Sequence, residues 1–233
     1  MNLKALLSDM KNILILGHHN ADPDAVCSMR AFAELYYELN PDGNATLACD
    51  DVSRLSTKVL EKLAPNTTIH EKIEESFDFY VVLDTNSQVQ LGDNFSVQLA
   101  DKTKVLMIDH HEENPESVKI AEYTIIRSDR FSTCEMLVDL FKEHDITVSP
   151  MIASLLLCGM LFDTRRFYYA DKDTLSTATF LMESGANYEA CLNALTIRQD
   201  RSERIARLKA ASRSKIHTVN DWVIATARIG AFE

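Results

Sequence analysis

The chain has 233 residues, with 24 Lys plus Arg against 35 Asp plus Glu and a formal charge of −11 with histidines neutral. That acidity excludes a basic nucleic-acid coat and leaves room for a local phosphate site. Charged residues at 25% and apolar residues at 46% exclude disorder, collagen and coiled coil, and at roughly 150 residues per domain the length fits one large domain or one and a half.

The opening MNLKALLSDMKNILILG interrupts its apolar stretch with Ser8, Asp9 and Lys11, so it lacks the continuous core of a signal peptide. Short Ile-, Val- and Leu-rich runs then predict strands at 12–17, 45–48, 79–83, 104–108 and 119–126. Between them, helical spacing predicts helices at 24–39 and 52–63, the latter with Asp50 and Asp51 as candidate caps. After Arg130 the strand signal stops and helices are predicted at 133–143, 150–162, 173–183 and 188–195. The alternation argues for an α/β fold: a mainly parallel five-stranded sheet flanked by helices, with a helical C-terminal part. The segment 198–215 is strongly charged and free of Gly and Pro, so it is expected to be an exposed helical connector. Strand character returns at 222–229, and a lone strand must either join the main body or open a second domain.

The five cysteines, Cys27, Cys49, Cys134, Cys158 and Cys191, are odd in number and widely spaced, and are expected to be reduced packing residues of a cytoplasmic protein. The apolar run 151–162 is too short to span a bilayer, so no membrane association is expected.

Three apolar strands end alike. ILILG runs into His18-His19-Asn20-Ala21-Asp22-Pro23-Asp24, YVVL into Asp84, and VLMI into Asp109-His110-His111. Parallel strands bring these residues to one edge, where open α/β sheets bind ligands. Taken singly, Asp22-Pro23 is equally a helix start and a lone Asp after a strand is turn chemistry. Together, imidazoles mixed with carboxylates are the ligand set of Mn or a similar ion. Asp163 adds a further carboxylate at the end of an apolar helix, where it needs a partner.

These residues resemble the DHH phosphoesterase family, which includes RecJ-like exonucleases, nano-RNase and pAp phosphatases, cyclic-dinucleotide phosphodiesterases and, more distantly, family II inorganic pyrophosphatases. The resemblance covers residues 10 to 197. His18, Asp22 and Asp24 fit its H-x-x-x-D-x-D motif, Asp84 in VVLDTNS the second, Asp109-His110-His111 the third and Asp163 in GMLFDTRRF the fourth, with Phe131-Ser132-Thr133-Cys134-Glu135 also similar. Two departures stand out. Ala21 replaces a common Pro, with Pro23 between the two aspartates, and Arg165 and Arg166 follow Asp-Thr where a small residue is usual.

The resemblance implies a two-metal hydrolase. His18, Asp22 and Asp84 would hold one Mn2+, and Asp24, Asp84, His110 and Asp163 the other, with Mg2+ or Co2+ as substitutes and Asp84 bridging. His111 would contact the phosphoryl group or leaving oxygen and Asp109 would orient a histidine from behind. Arg165, Arg166, Arg130 and His19 are candidate substrate contacts. Arg127 joins them by position, and surface solvation or structural pairing is the plain alternative for each arginine. The expected division is a catalytic domain at 1–197, a helical connector at 198–218 and the start of a truncated substrate-binding domain at 219–233. The expected substrate is a phosphorylated nucleotide: a short oligonucleotide, pAp or a cyclic dinucleotide. Alternatives are pyrophosphate or polyphosphate hydrolysis, and a non-catalytic binding module. A homodimer is the base-rate expectation.

Overall fold

The computed structural model describes residues 2–100, 104–113, 115, 121–196 and 201–228. They fall into two compact units, Met1–Leu195 and Thr196–Glu233.

In the first unit, α1 (Leu3–Leu7) precedes β1 (Asn12–Leu16), α2 (Pro23–Leu39), β2 (Asn44–Ala48), α3 (Arg54–Leu63) and β3 (Phe79–Leu83). A 3-10 turn (Gln88–Leu91) leads into α4 (Gly92–Ala100), β4 (Val105–Asp109) and β5 (Tyr123–Ile126). The helices α5 (Thr133–Glu143), α6 (Pro150–Asp163), α7 (Lys172–Glu183) and α8 (Tyr188–Ala194) complete the unit. The five strands form one parallel sheet in the order β2-β1-β3-β4-β5. The chain leaves β1 to one side and returns on the other, so a crevice opens beyond the C-terminal ends of β1 and β3.

A parallel sheet needs apolar cover on both faces, and alternate residues of each strand supply the two halves. Ile13, Ile15, Val81 and Leu106 join α2, α5 and α6 in the larger core, while Leu14, Leu16, Val82 and Met107 pack against Leu91, Phe95 and Leu99 on the other face. The helix carrying Phe95 and Leu99 went unpredicted, because Gly92-Asp93-Asn94 looks like a turn. Its i, i+4 apolar spacing from Leu91 was nevertheless present. The α3 helix starts at Arg54, and Ser53, whose side chain accepts from the Ser56 N–H, caps it in place of Asp50 or Asp51. The fifth strand covers 123–126; residues 119 and 120 of the expected strand lie outside the described residues.

In the second unit, α9 (Arg201–Ser212) is followed by β6 (Lys215–Val219) and β7 (Trp222–Thr226). Strand structure thus begins inside the segment expected to be helical connector. Ile216, Thr218 and Val219 favour extended backbone, and Asn220 at φ 54° makes the turn that pairs the strands antiparallel. The partner that a lone strand required is β6. Residues 198–200 and 229–233 lie outside the described residues. Among the described residues, no helix is long and apolar enough to cross a membrane, and all five cysteines are free and buried.

Candidate metal centre

The loop after β1 supplies the first donors. Asp22 caps α2, with Oδ1 accepting from the Asp24 and Ala25 N–H groups at 2.9 and 3.1 Å. Its Oδ2 lies 3.8 Å from His18 Nε2, so one carboxylate serves as helix cap and as candidate ligand. His18 Nδ1 lies 2.8 Å from the His19 carbonyl. A carbonyl only accepts, so Nδ1 carries a proton, and Nε2 is the ring nitrogen that faces Asp22 and, at 3.8 Å, Asp84 Oδ2. The His19 N–H donates to Gln90 O at 2.6 Å, which ties the 3-10 turn to this loop.

Asp84 ends β3 with φ at 62°, a left-handed conformation that non-glycine residues seldom adopt. It accepts from Thr133 Oγ1 at 2.9 Å, and its Oδ1 lies 3.5 Å from His110 Nε2. Asp24 is fully buried, and its two oxygens accept from the Thr133 and Cys134 N–H groups at 2.7 and 3.1 Å. Those amides belong to the first turn of α5, where helix geometry leaves N–H groups without intrahelical partners and favours an anion. Ser132 caps the same turn and Glu135 reaches back to the Phe131 N–H, which gives the Ser-Thr-Cys-Glu stretch its local purpose.

Three groups of donors result, each with its atoms within 4.8 Å of one another: His18, Asp22 and Asp84; Asp24, Asp84, His110 and Asp163; and Asp84, Asp109, His110 and His111. Asp84 belongs to all three, and in the third Asp109 is already engaged by His111 and Asn86. The donor chemistry fits divalent cations. His110 Nε2 is buried without an aligned hydrogen bond, 3.1 Å from Asp163 Oδ2. Burial, followed by the charges of Asp24, Asp22, Asp163 and Asp109, pushes the Asp84 carboxyl well above the usual range. Burial and the neighbouring Asp163 push Asp24 up to about 7. Burial opposes protonation of His110, but the Asp163 carboxylate and the charges of Asp24 and Asp109 outweigh it and hold that group at about 9. Crowded buried carboxylates, beside an imidazole nitrogen that makes no aligned hydrogen bond, are ligands that a cation would relieve.

Asp109 stands behind these groups. It is fully buried and accepts from His111 Nδ1 at 2.8 Å and from Asn86 Nδ2 at 2.6 Å. Burial would raise its pKa, but the bond to His111 prevails and holds it below the usual carboxylate range. The His111 side chain is 59% exposed. It lines a cleft of about 370 Å3 with His18, His19, Asp22, Asp84, Val89, Gln90 and Gly92. Of the arginines, Arg165 and Arg166 are exposed directly after α6. Arg130 is held by Glu135 and Asp139 at 3.3 and 2.6 Å, and Arg127 forms two bonds of 2.8 and 2.7 Å to Asp129. Both therefore have the structural pairing that was the alternative to substrate contact.

Sequence reasoning gives no individual role to Asn86, Thr133 or Gly159. A Cβ on Gly159 would lie 2.3 Å from Cys134 Sγ and 2.6 Å from Asp24 Oδ1, so only glycine lets α6 pass the buried carboxylate. A lone glycine in so apolar a helix was the available signal.

An uncharacterised protein of Methanocaldococcus jannaschii is 34% identical over 223 residues, which are 95% of this chain and 66% of that protein. A probable manganese-dependent inorganic pyrophosphatase of Bacillus licheniformis is 28% identical over 161 residues, 68% of this chain and 50% of that one. The crystal structure of an exopolyphosphatase-related protein from Bacteroides fragilis superposes with a TM-score of 0.79 at 17% identity, over 92% of this chain and 65% of that one, and so shares the fold. The chain thus spans one half to just under two thirds of these relatives. The DHH family, N-terminal domain, matches residues 12–160, a span that holds every candidate ligand except Asp163, and the chain belongs to the DHH family.

Proposed function

We propose that the first unit is the catalytic domain of a manganese-dependent phosphoesterase acting on a small nucleotide substrate. The observation that carries this reading is Asp84, shared by two donor sets that each suit one divalent ion. His18, Asp22 and Asp84 would hold one ion, and Asp24, Asp84, His110 and Asp163 the other. Divalent ions held there would supply a water of lowered pKa and neutralise charge on the phosphoryl oxygens.

The protein's own groups do the rest. The His19 carbonyl fixes the His18 ring so that Nε2 is the ligating atom. Asp109 accepts from His111 Nδ1 and so fixes the ring, which lines the cleft where it would contact the phosphoryl group or the leaving oxygen. The four carboxylates of Asp22, Asp24, Asp84 and Asp163 balance two divalent ions, so substrate charge must be met elsewhere. Arg165 and Arg166 meet it, since guanidinium groups grip phosphate through paired hydrogen bonds. His19 lies at the cleft rim as a further contact. Arg130 keeps its carboxylate partners and stays outside the substrate site.

Pyrophosphate or polyphosphate is the second reading, favoured by the relatives named as manganese-dependent pyrophosphatases. Turnover of a dinucleotide, pAp, a cyclic dinucleotide and pyrophosphate with Mn2+ decides between them. Faster cleavage of a base-bearing substrate, abolished in Asp84→Ala, is expected; faster pyrophosphate cleavage selects the second reading, and no turnover of any overturns both.

A further inference from the structure

The turn after Asp163 is unusual in its backbone. Arg165, Arg166 and Phe167 have φ of 49°, 59° and 65°, three consecutive non-glycine residues in the left-handed region. Each costs free energy, and such conformations persist where the surroundings over-determine them. Here Thr164 supplies the restraint. Its Oγ1 donates to Met160 O at 2.6 Å and accepts from the Phe167 N–H at 3.0 Å, while its carbonyl accepts from the Tyr169 N–H at 2.9 Å. The Arg166 N–H adds a bond of 2.7 Å to Leu161 O. Phe167 packs against the core, and the turn is anchored by it.

What this restraint displays is chemically specific. Tyr168 is 76% exposed and Tyr169 45%, two large rings kept in solvent. They meet edge to face, with centroids 4.9 Å apart and planes at 87°. The Arg165 guanidinium lies 5.3 Å from the Tyr169 ring centroid, and its Nη1 is 3.5 Å from the Tyr169 hydroxyl. Tyr169 is therefore flanked by a cation and by Tyr168, the more exposed of the two rings. The whole group begins two residues beyond Asp163, a candidate ligand.

The geometry points to this turn as a platform for a nucleobase. Tyr168 stacks on the base of a substrate whose phosphoryl group sits at the Asp84 centre, Tyr169 and Arg165 hold Tyr168 upright, and Arg166 meets a flanking phosphate. This inference rests on the phosphoesterase reading and narrows it to substrates that carry a base. Pyrophosphate has no π face, so exposed rings on a strained turn would contribute nothing to its binding.

The test uses the full chain with Mn2+ and a dinucleotide in which 2-aminopurine replaces one base, since stacking quenches its fluorescence. Quenching on binding is expected in the wild type and in Tyr168→Phe. In Tyr168→Ala and in Tyr168→Leu, which keeps the apolar bulk, quenching is expected to vanish and Kd to rise about tenfold. Pyrophosphate affinity, measured by competition, is expected to stay unchanged in every variant. Quenching that persists in Tyr168→Ala and Tyr168→Leu overturns the platform, as does pyrophosphate binding without dinucleotide binding; the turn then serves another partner. Bound Mn2+ counted in the same samples separates the two readings. Two ions with no base-dependent quenching remove the platform alone, and no ion removes the phosphoesterase reading whatever the fluorescence does.

Discussion

Gly159→Ala sets helix propensity against packing. In an exposed helix interior the change would stabilise the protein by about 1 kcal/mol. At this position the new methyl carbon falls 2.6 Å from Asp24 Oδ1 and 2.3 Å from Cys134 Sγ. The thiol is a side-chain end and can turn, but Asp24 is held on both oxygens by the Thr133 and Cys134 amides. Overpacking of this kind costs about 2 kcal/mol. Losing one charge-assisted amide bond adds about 2 kcal/mol. Net of propensity, the variant is less stable by about 3 kcal/mol, a fall in Tm of about 6–12 °C for a protein of this size. Because Asp24 belongs to only one donor set, the variant is expected to bind one Mn2+ tightly and the second at least about tenfold more weakly. Calorimetric melting and Mn2+ titration measure both effects. Adding Cys134→Ala removes the contact with sulfur but not that with Asp24, so it restores part of the stability and none of the second affinity. A variant more stable than the wild type, with two equal ions, refutes the packing argument.

Asn86→Ala removes the 2.6 Å bond to Asp109 and leaves a fully buried carboxylate short of a donor. Folding is expected to weaken by about 1–3 kcal/mol, and kcat to fall about 10- to 100-fold with Mn2+ stoichiometry intact, as steady-state kinetics and metal counting will show. The pH dependence has a definite sign. Asp24 is raised from 3.8 to about 7, so the metal-free native state binds more protons than the unfolded chain, and its stability falls as pH rises from about 4 to about 7. His110, raised from 6.5 to about 9, extends the same trend upward. Melting after chelator treatment should therefore give a lower Tm at pH 8 than at pH 5, and Mn2+ should stabilise more at pH 8, because the ligands must lose protons to bind.

The site was more legible in the sequence than the contacts that support it. Strand ends such as ILILG-His18 and VLMI-Asp109 announce themselves, because a polar residue directly after a buried strand has few places to go except the sheet edge. The sheet followed from the same runs. What stayed hidden depends on contacts between distant segments. The role of Gly159 exists only because α6 passes Asp24, 135 positions away in sequence. Asn86 resembles any turn asparagine until Asp109 is placed beside it. The second-face helix carried its Phe95 and Leu99 spacing behind a Gly-Asp-Asn start, and local turn chemistry obscured it. The pairing of Arg130 was likewise hidden, because nothing local shows that Asp139, nine residues on, faces it.

Anomalous diffraction at the manganese edge, on crystals grown with Mn2+, locates the ions against the donor residues. Two peaks that share Asp84 as a ligand are expected, one also bound by His18 and Asp22, the other by Asp24, His110 and Asp163. A single peak, or peaks away from Asp84, would contradict the two-ion reading.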